Sequence, residues 1–243
     1  MILAAGVGNR LRPFTDGQPK CLLKFGEKSL IVRHLEVLEA VGAERTLIVV
    51  GYRHEQVKAE VEKAGAGPRV DFVYNPSFQS GSAMSLLCSR PAFGGESVIF
   101  MDADILYCRE LLVRLSTARA ENALLADKAF SDTGEEVQVA ADASGRALEL
   151  GKKIRGPARI AGESVGIYKV SPNTGQTLLV ELQKAVEHDP ATEYESIVNT
   201  LLPKAPFGVV VTDGLPWIEI DFAEDVERGR IETWPAIQAA EGS

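Results

Sequence analysis

Through residues 1–127, short apolar or β-branched runs alternate with longer stretches in which apolar residues recur every three or four positions. No other feature constrains the fold as much, because parallel strands need crossover connections of about a dozen residues or more, usually helices. Residues 1–5 (MILAA) read as a buried strand that runs into Gly6-Val-Gly8. Residues 29–41 put apolar side chains on one helical face after Ser29, with Gly42 as the stop. Residues 46–50 and 70–74 read as strands on either side of a helix over 54–64, and Asn75-Pro76 as the next turn. A short helix over 82–88, a strand over 97–101, a helix over 109–121 and a strand over 122–127 complete this half. Met1 lies so near the glycine turn that a trimmed first strand is expected.

The remaining residues change character. Residues 136–141 and 146–150 flank Asp142-Ala-Ser-Gly145 and predict an antiparallel hairpin. A strand over 163–170, helices over 173–188 and 192–202, and strands over 208–212 and 217–221 follow. A last helix over 222–232 carries Glu224 and Asp225 in its first turn, where negative charge suits the helix dipole. No Pro/Gly/Ser-rich linker interrupts the chain, so residues 1–243 are expected to form one domain with halves 1–127 and 128–243.

Charge narrows the function. The net charge of −8 and the lack of any Lys/Arg block disfavour nucleic-acid binding. No apolar run approaches the roughly 18–20 residues of a membrane span, and no secretory leader opens the chain. Cys21, Cys88 and Cys108 are widely spaced and include no CxxC, so neither a disulfide framework nor a zinc site is expected, and a reducing cytoplasm is the default.

The chemistry starts at the first turn. A strand followed by Gly6-Val-Gly8, with Arg10, Arg12 and Lys20 close behind, offers backbone N–H groups and fixed positive charge to phosphate oxygens. Leu11 replaces the third glycine of a dinucleotide loop, and no Gly-Lys-Ser/Thr follows, so neither of those phosphate loops applies. Two acidic pairs, Asp102/Asp104 and Glu219/Asp221, sit at or near the ends of expected strands, where ligands lie in open α/β sheets. Mg²⁺ on a nucleotide is commonly held by one or two carboxylates together with phosphates and water. His34, His54 and His188 have no ligand spacing and are given no catalytic role.

The segment Leu3-Ala-Ala-Gly-Val-Gly-Asn-Arg-Leu-Arg-Pro-Phe-Thr-Asp-Gly-Gln-Pro-Lys20-Cys-Leu-Leu resembles the signature LAAGxGxRLxPxTxxxPKxLL of the sugar-1-phosphate and phosphocholine nucleotidyltransferase superfamily. The resemblance implies a Rossmann-like (GT-A-like) α/β fold with a mixed, mainly parallel sheet flanked by helices. It implies a nucleotide-binding first half and an acceptor-binding second half. Leu3, Ala4, Ala5, Gly6 and Gly8 would wrap the triphosphate. Arg10 and Lys20 would be catalytic, and Asn75, Ser80, Gly81, Ser82 and Asp102 would complete the nucleotide site. The cofactor would be Mg²⁺, held by Asp104 and Asp221, with Asp102 and Glu219 as the alternatives in register.

The motifs Gly51-Tyr-Arg-His-Glu-Gln56, Tyr74-Asn-Pro76, Met101-Asp-Ala-Asp104 and Leu215-Pro-Trp-Ile-Glu-Ile-Asp221 look more like the phosphocholine cytidylyltransferase branch than the hexose-1-phosphate branch. The chain departs from that branch in carrying Gly81-Ser82 where Asn-Asn is usual. The expected reaction joins an NMP, from CTP, to a small phosphorylated or phosphonate acceptor such as phosphocholine or 2-aminoethylphosphonate, and releases pyrophosphate. Lys152, Glu163, Tyr194 and Trp217 are the candidate acceptor residues; aromatic faces beside Glu193 and Glu195 would suit a cationic head group. Tyr168 reads better as core. A hexose-1-phosphate or inositol-1-phosphate nucleotidyltransferase, and a nucleotide-sensing pseudo-enzyme, stay open as alternatives, as does homodimerisation.

Overall fold

The computed structural model describes residues 1–11, 15, 17–65, 67, 69–130 and 134–242. Arg12 lies outside them. The chain forms two compact units: Met1–Gln79 with Asp102–Val113 and Leu215–Ser243, and Ser80–Met101 with Arg114–Gly214. They do not follow sequential halves meeting at residue 127. The chain instead passes between them at four places, because strands distant in sequence share hydrogen-bond ladders.

The first unit is built on three parallel strands, Ile2–Ala4, Arg45–Val50 and Arg69–Tyr74, with Ile2 opposite Ile48 and Ile48 opposite Phe72. Leu47, Ile48, Val49 and Val50 are all buried, the continuous apolar run expected of a strand covered on both faces. The helices Leu30–Ala40 and His54–Ala64 are the crossovers; Leu30, Ile31, Leu35 and Leu38 form the buried stripe of one, Val57 and Val61 that of the other. The chain returns late to this unit. Strand Ile105–Tyr107 pairs antiparallel with Trp217–Glu219, and helix Ala223–Arg228, a π-helical turn Gly229–Thr233 and helix Trp234–Glu241 close the chain.

In the second unit, strand Arg159–Val170 is central and pairs antiparallel with Val98–Asp102, Asn122–Asp127 and Gln138–Ala141. Ala147–Gly151 completes the hairpin expected around residue 142, and Phe207–Val211 adds in parallel to Asn122–Asp127. The helices Ser82–Cys88, Pro172–His188 and Tyr194–Leu201 pack on one another. Phe100, Tyr168 and Tyr194 fill the space beneath them, Tyr194 standing edge-on to the other two rings at 5.7 Å.

Candidate active site

The strand Ile2–Ala4 delivers the chain to Gly6, which is exposed and would place a Cβ in open space, and then to Gly8 at φ +66°. A Cβ on Gly8 would lie 2.6 Å from Lys20 Cγ. The second glycine is therefore required twice, by its backbone conformation and by the lysine stem that runs across it. A 3₁₀ turn over Asn9–Leu11 follows, pinned by the buried Leu11, and it presents Arg10 outward. A second such turn, Lys20–Leu22 behind Pro19, buries Cys21 and turns Lys20 back toward the loop.

Two acidic residues meet Lys20. Pairing of Ile105–Tyr107 with Trp217–Glu219 is extended by a hydrogen bond from Ile220 N–H to the Asp104 carbonyl, which brings Asp104 beside Asp221. Lys20 Nζ lies 3.2 Å from Asp104 Oδ2 and 2.5 Å from Asp221 Oδ1, and Arg10 lies 2.9 Å from the other Asp221 oxygen. Burial acts to lower the Lys20 pKa, but the carboxylates of Asp104 and Asp221 outweigh it and hold the ammonium above its ordinary value. Lys20 is thus a permanent cation. Arg10 also stacks over the Phe222 ring, 5.1 Å from its centroid. Behind Asp221, the Asp225 carboxylate accepts the backbone N–H groups of Asp221 and Phe222, capping the helix and fixing the acid's backbone.

Carboxylate oxygens of Asp104, Glu219 and Asp221 lie within 4.8 Å of one another. Such hard oxygen donors fit a small divalent cation. Glu219, read as an alternative to Asp221, stands in the same group with it. Asp102 does not belong to the group; it ends its strand half-buried.

Other expected site residues have distinct surroundings. Ala5 accepts the Tyr52 N–H, and the Asn75 side chain, fully buried, accepts the Ser77 N–H and shapes the turn after its strand. In the second unit, a Cβ on Gly81 would lie 2.1 Å from the Thr192 carbonyl, so close approach of the 190–192 backbone demands glycine there. Ser82 donates its N–H to Glu193 and accepts the Tyr194 N–H at its hydroxyl, and Ser80 is half-buried. Burial and the neighbouring Glu193 carboxylate push Glu195 up to about 7 against the pull of Lys152. Lys152 is exposed and pairs with Glu135 at 2.8 Å, and Glu163 lies half-buried within its strand.

Tyr194 departs from expectation. It is 1% exposed and its ring packs against Phe100 and Tyr168, so its faces serve the core and cannot wall a cation pocket. The cause is local: as the first residue of its helix it points inward with Ile197, Val198 and Leu201. Trp217 keeps its expected side, half-buried on the face of the exposed Glu219, while Ile218 and Ile220 are buried. Arg53, quoted above only as part of the Gly51–Gln56 motif, lies with its guanidinium close to Gly17 and takes a left-handed φ of 46°, which has no signature in composition.

A glycine loop at a strand end, two cations and an opposed group of carboxylates thus meet in one place on an α/β fold. Residues 1–164 match the MobA-like NTP transferase domain, and the chain belongs to that family of nucleotidyltransferases. It is 26% identical over 249 residues to CTP:phosphoglutamine cytidylyltransferase of Campylobacter jejuni, covering 93% of this chain and 97% of that one. It is 23% identical to a bifunctional IPC transferase and DIPP synthase of Thermococcus kodakarensis over 95% of this chain, spanning 49% of that relative's length. Among solved structures, the inositol-1-phosphate CTP transferase of T. maritima matches with a TM-score of 0.78 at 21% identity, covering 98% of this chain and 94% of that one. The CTP:phosphocholine cytidylyltransferase of Streptococcus pneumoniae matches at 0.74 and 22%, over 93% of this chain and 95% of that one. The fold is thus the Rossmann-like one of nucleotidyltransferases, and the chain is cytidylyltransferase-like. No helix among the described residues is long and apolar enough to cross a membrane.

Proposed function

We propose that the chain is a cytidylyltransferase that transfers CMP from CTP to a small phosphorylated or phosphonate acceptor and releases pyrophosphate. The observation that carries this reading is Lys20, held protonated between Asp104 and Asp221 beside the Gly6-Val-Gly8 loop. An acceptor phosphate is already ionised near neutral pH, so its oxygen attacks the α-phosphorus in line without a general base. What remains is alignment and charge stabilisation. The ammonium of Lys20 turns from the carboxylates to the phosphate oxygens, Arg10 swings from Asp221 to the outer phosphates, and the loop N–H groups oppose charge growing on pyrophosphate. Asp104 and Asp221, with Glu219 as a third oxygen donor, are the residues that would hold Mg²⁺, whose bound charge neutralises phosphate oxygens. Three free cysteines suit a reducing cytoplasm.

For the acceptor, Trp217 beside Glu219 favours a head group carrying positive charge. A second reading, inositol 1-phosphate, draws support from the likeness to the inositol-1-phosphate CTP transferase structure. A matrix of CTP, UTP, dTTP, GTP and ATP against phosphocholine, 2-aminoethylphosphonate, phosphoglutamine, inositol 1-phosphate and hexose 1-phosphates, read as pyrophosphate release, tests both. CTP with a cationic acceptor is the expected maximum; a maximum with UTP or dTTP and a hexose 1-phosphate would overturn the assignment.

A further inference from the structure

His34 takes no part in the chemistry above, yet it is a buried imidazole within one peptide of the carboxylate group. It lies on helix Leu30–Ala40, 1% exposed. Its Nε2 is 3.2 Å from the Ala103 carbonyl oxygen. A carbonyl oxygen only accepts, so Nε2 carries the proton and Nδ1 is the bare nitrogen. That Nδ1 is buried and has no hydrogen-bond partner among the described residues. The ring stacks on Tyr107, centroids 5.3 Å apart and planes 25° from parallel.

This placement makes little sense as packing alone. A phenylalanine would stack on Tyr107 as well and would bury no unmatched nitrogen. What the imidazole adds is the donor to Ala103. The peptide groups around Asp104 are held in sequence: Ala103 N–H donates to the Leu3 carbonyl, the Ala103 carbonyl accepts from His34, and the Asp104 carbonyl accepts from Ile220 N–H. The Ala103 carbonyl belongs to the peptide plane that leads into Asp104, so fixing it sets the direction in which the Asp104 side chain leaves the backbone. Tyr107, three residues after Asp104, stacks on the same imidazole.

We propose that His34 is a positioning residue for the metal-binding carboxylate: by donating Nε2–H to the Ala103 carbonyl it holds Asp104 in register with Asp221 and Glu219. This rests on the reading of Asp104 as a metal ligand. The test measures Mn²⁺ binding to the purified chain by the electron paramagnetic resonance of free Mn²⁺, beside kcat, KM for CTP and thermal melting, for wild type, Asp104→Asn, His34→Phe and His34→Gln. Removing a group that orients a metal ligand typically costs about 10- to 100-fold in metal affinity or activity. His34→Phe, which keeps the stack and removes the donor, is expected to weaken Mn²⁺ binding by about 10-fold or more and to lower kcat with little change in KM for CTP and in melting. His34→Gln, whose side-chain amide restores a donor of similar reach, is expected to recover most of the affinity.

Unchanged Mn²⁺ affinity in His34→Phe, or a loss in His34→Gln equal to that in His34→Phe, overturns the proposal. Should His34→Phe fail to fold, His34→Met, of glutamine's shape without its donor, is compared with His34→Gln under the same criteria. Wild type that binds no Mn²⁺ sensitive to Asp104→Asn refutes the metal reading itself, and the proposal with it. Normal, Asp104-dependent binding in wild type combined with normal binding in His34→Phe refutes the positioning role alone.

Discussion

Replacing Gly8 by alanine tests the geometry of the site at a position that touches no substrate through a side chain. The new Cβ would stand 2.6 Å from Lys20 Cγ and 3.3 Å from Cε, at a backbone φ of +66°. The left-handed conformation costs an L-residue roughly 1–2 kcal/mol. At about 2–4 °C per kcal/mol for a domain of this size, melting should fall by about 2–8 °C. The contact is relieved only if the Lys20 stem swings away, which takes the ammonium from Asp104, Asp221 and the phosphate oxygens. Turnover should then fall toward that of a lysine deletion, roughly 10²- to 10³-fold for one lost charge-stabilising donor. Steady-state pyrophosphate release on Gly8→Ala, Lys20→Ala and the double variant separates the two effects. In Lys20→Ala the Cγ is gone, so adding Gly8→Ala should lower kcat by no more than about threefold, while the melting loss persists. Near-normal turnover in Gly8→Ala, or a full multiplicative loss in the double variant, would refute the idea that Gly8 exists to let Lys20 pass.

Other outcomes follow from the same geometry. Asp104→Asn and Asp221→Asn should each raise the Mg²⁺ needed for half-maximal rate, and the double variant should lose less than the product of the two, because residues serving one ion act as a unit; simple multiplication would place them on separate functions. Trp217→Leu should raise the acceptor's KM roughly 2- to 30-fold, the equivalent of about 0.5–2 kcal/mol for a cation on an aromatic face, and leave that for CTP unchanged; equal effects on both would remove the cationic acceptor. Burial lowers His34 to about 4 from 6.5, so the unfolded chain takes up a proton at a higher pH than the folded one. The stability tied to its neutral form is complete above pH 6.5 and is lost as pH falls toward 4, by about 3 kcal/mol in all. Urea titrations should show about 2 kcal/mol of that loss between pH 7 and pH 5 in wild type and none of it in His34→Phe; parallel losses in both would assign it to other groups.

Much of the fold was legible because helix ends carry local chemistry. The helix His54–Ala64 has its expected limits and ends at Gly65 in a left-handed cap, and Ser82–Cys88 also has its expected limits. Strand Ile105–Tyr107 was not foreseen, since three residues are too few to show a period. The last helix, Trp234–Glu241, was missed because Pro235 reads as a terminator although it occupies a first-turn position, where proline lacks only an unneeded donor. Strand Arg159–Val170 begins four residues before its expected start because Gly162, beside a register shift, looks like a break. Within the site, the loop and its cations were legible because they follow one another closely after the first strand, in the order of the nucleotidyltransferase signature that the segment resembles. The grouping of Glu219 with both aspartates, and the burial of Tyr194, depend on antiparallel pairing and core packing between residues far apart in the chain.

The order in which the ribosome releases this chain matters for that reason. Lys20 and Asp221 are separated by 201 positions, and the segment 215–243 belongs to the same compact unit as the first 79 residues. The earliest strands, helices and phosphate loop emerge long before the acid that neutralises Lys20, and at about 5–20 residues per second that interval is on the order of ten seconds or more. During it the nascent first unit carries an exposed cationic loop and lacks the strand that pairs with Ile105–Tyr107. Closure of the first unit therefore waits for residues 215–221, and chains stalled or clipped before residue 215 are expected to be inactive and prone to capture by chaperones.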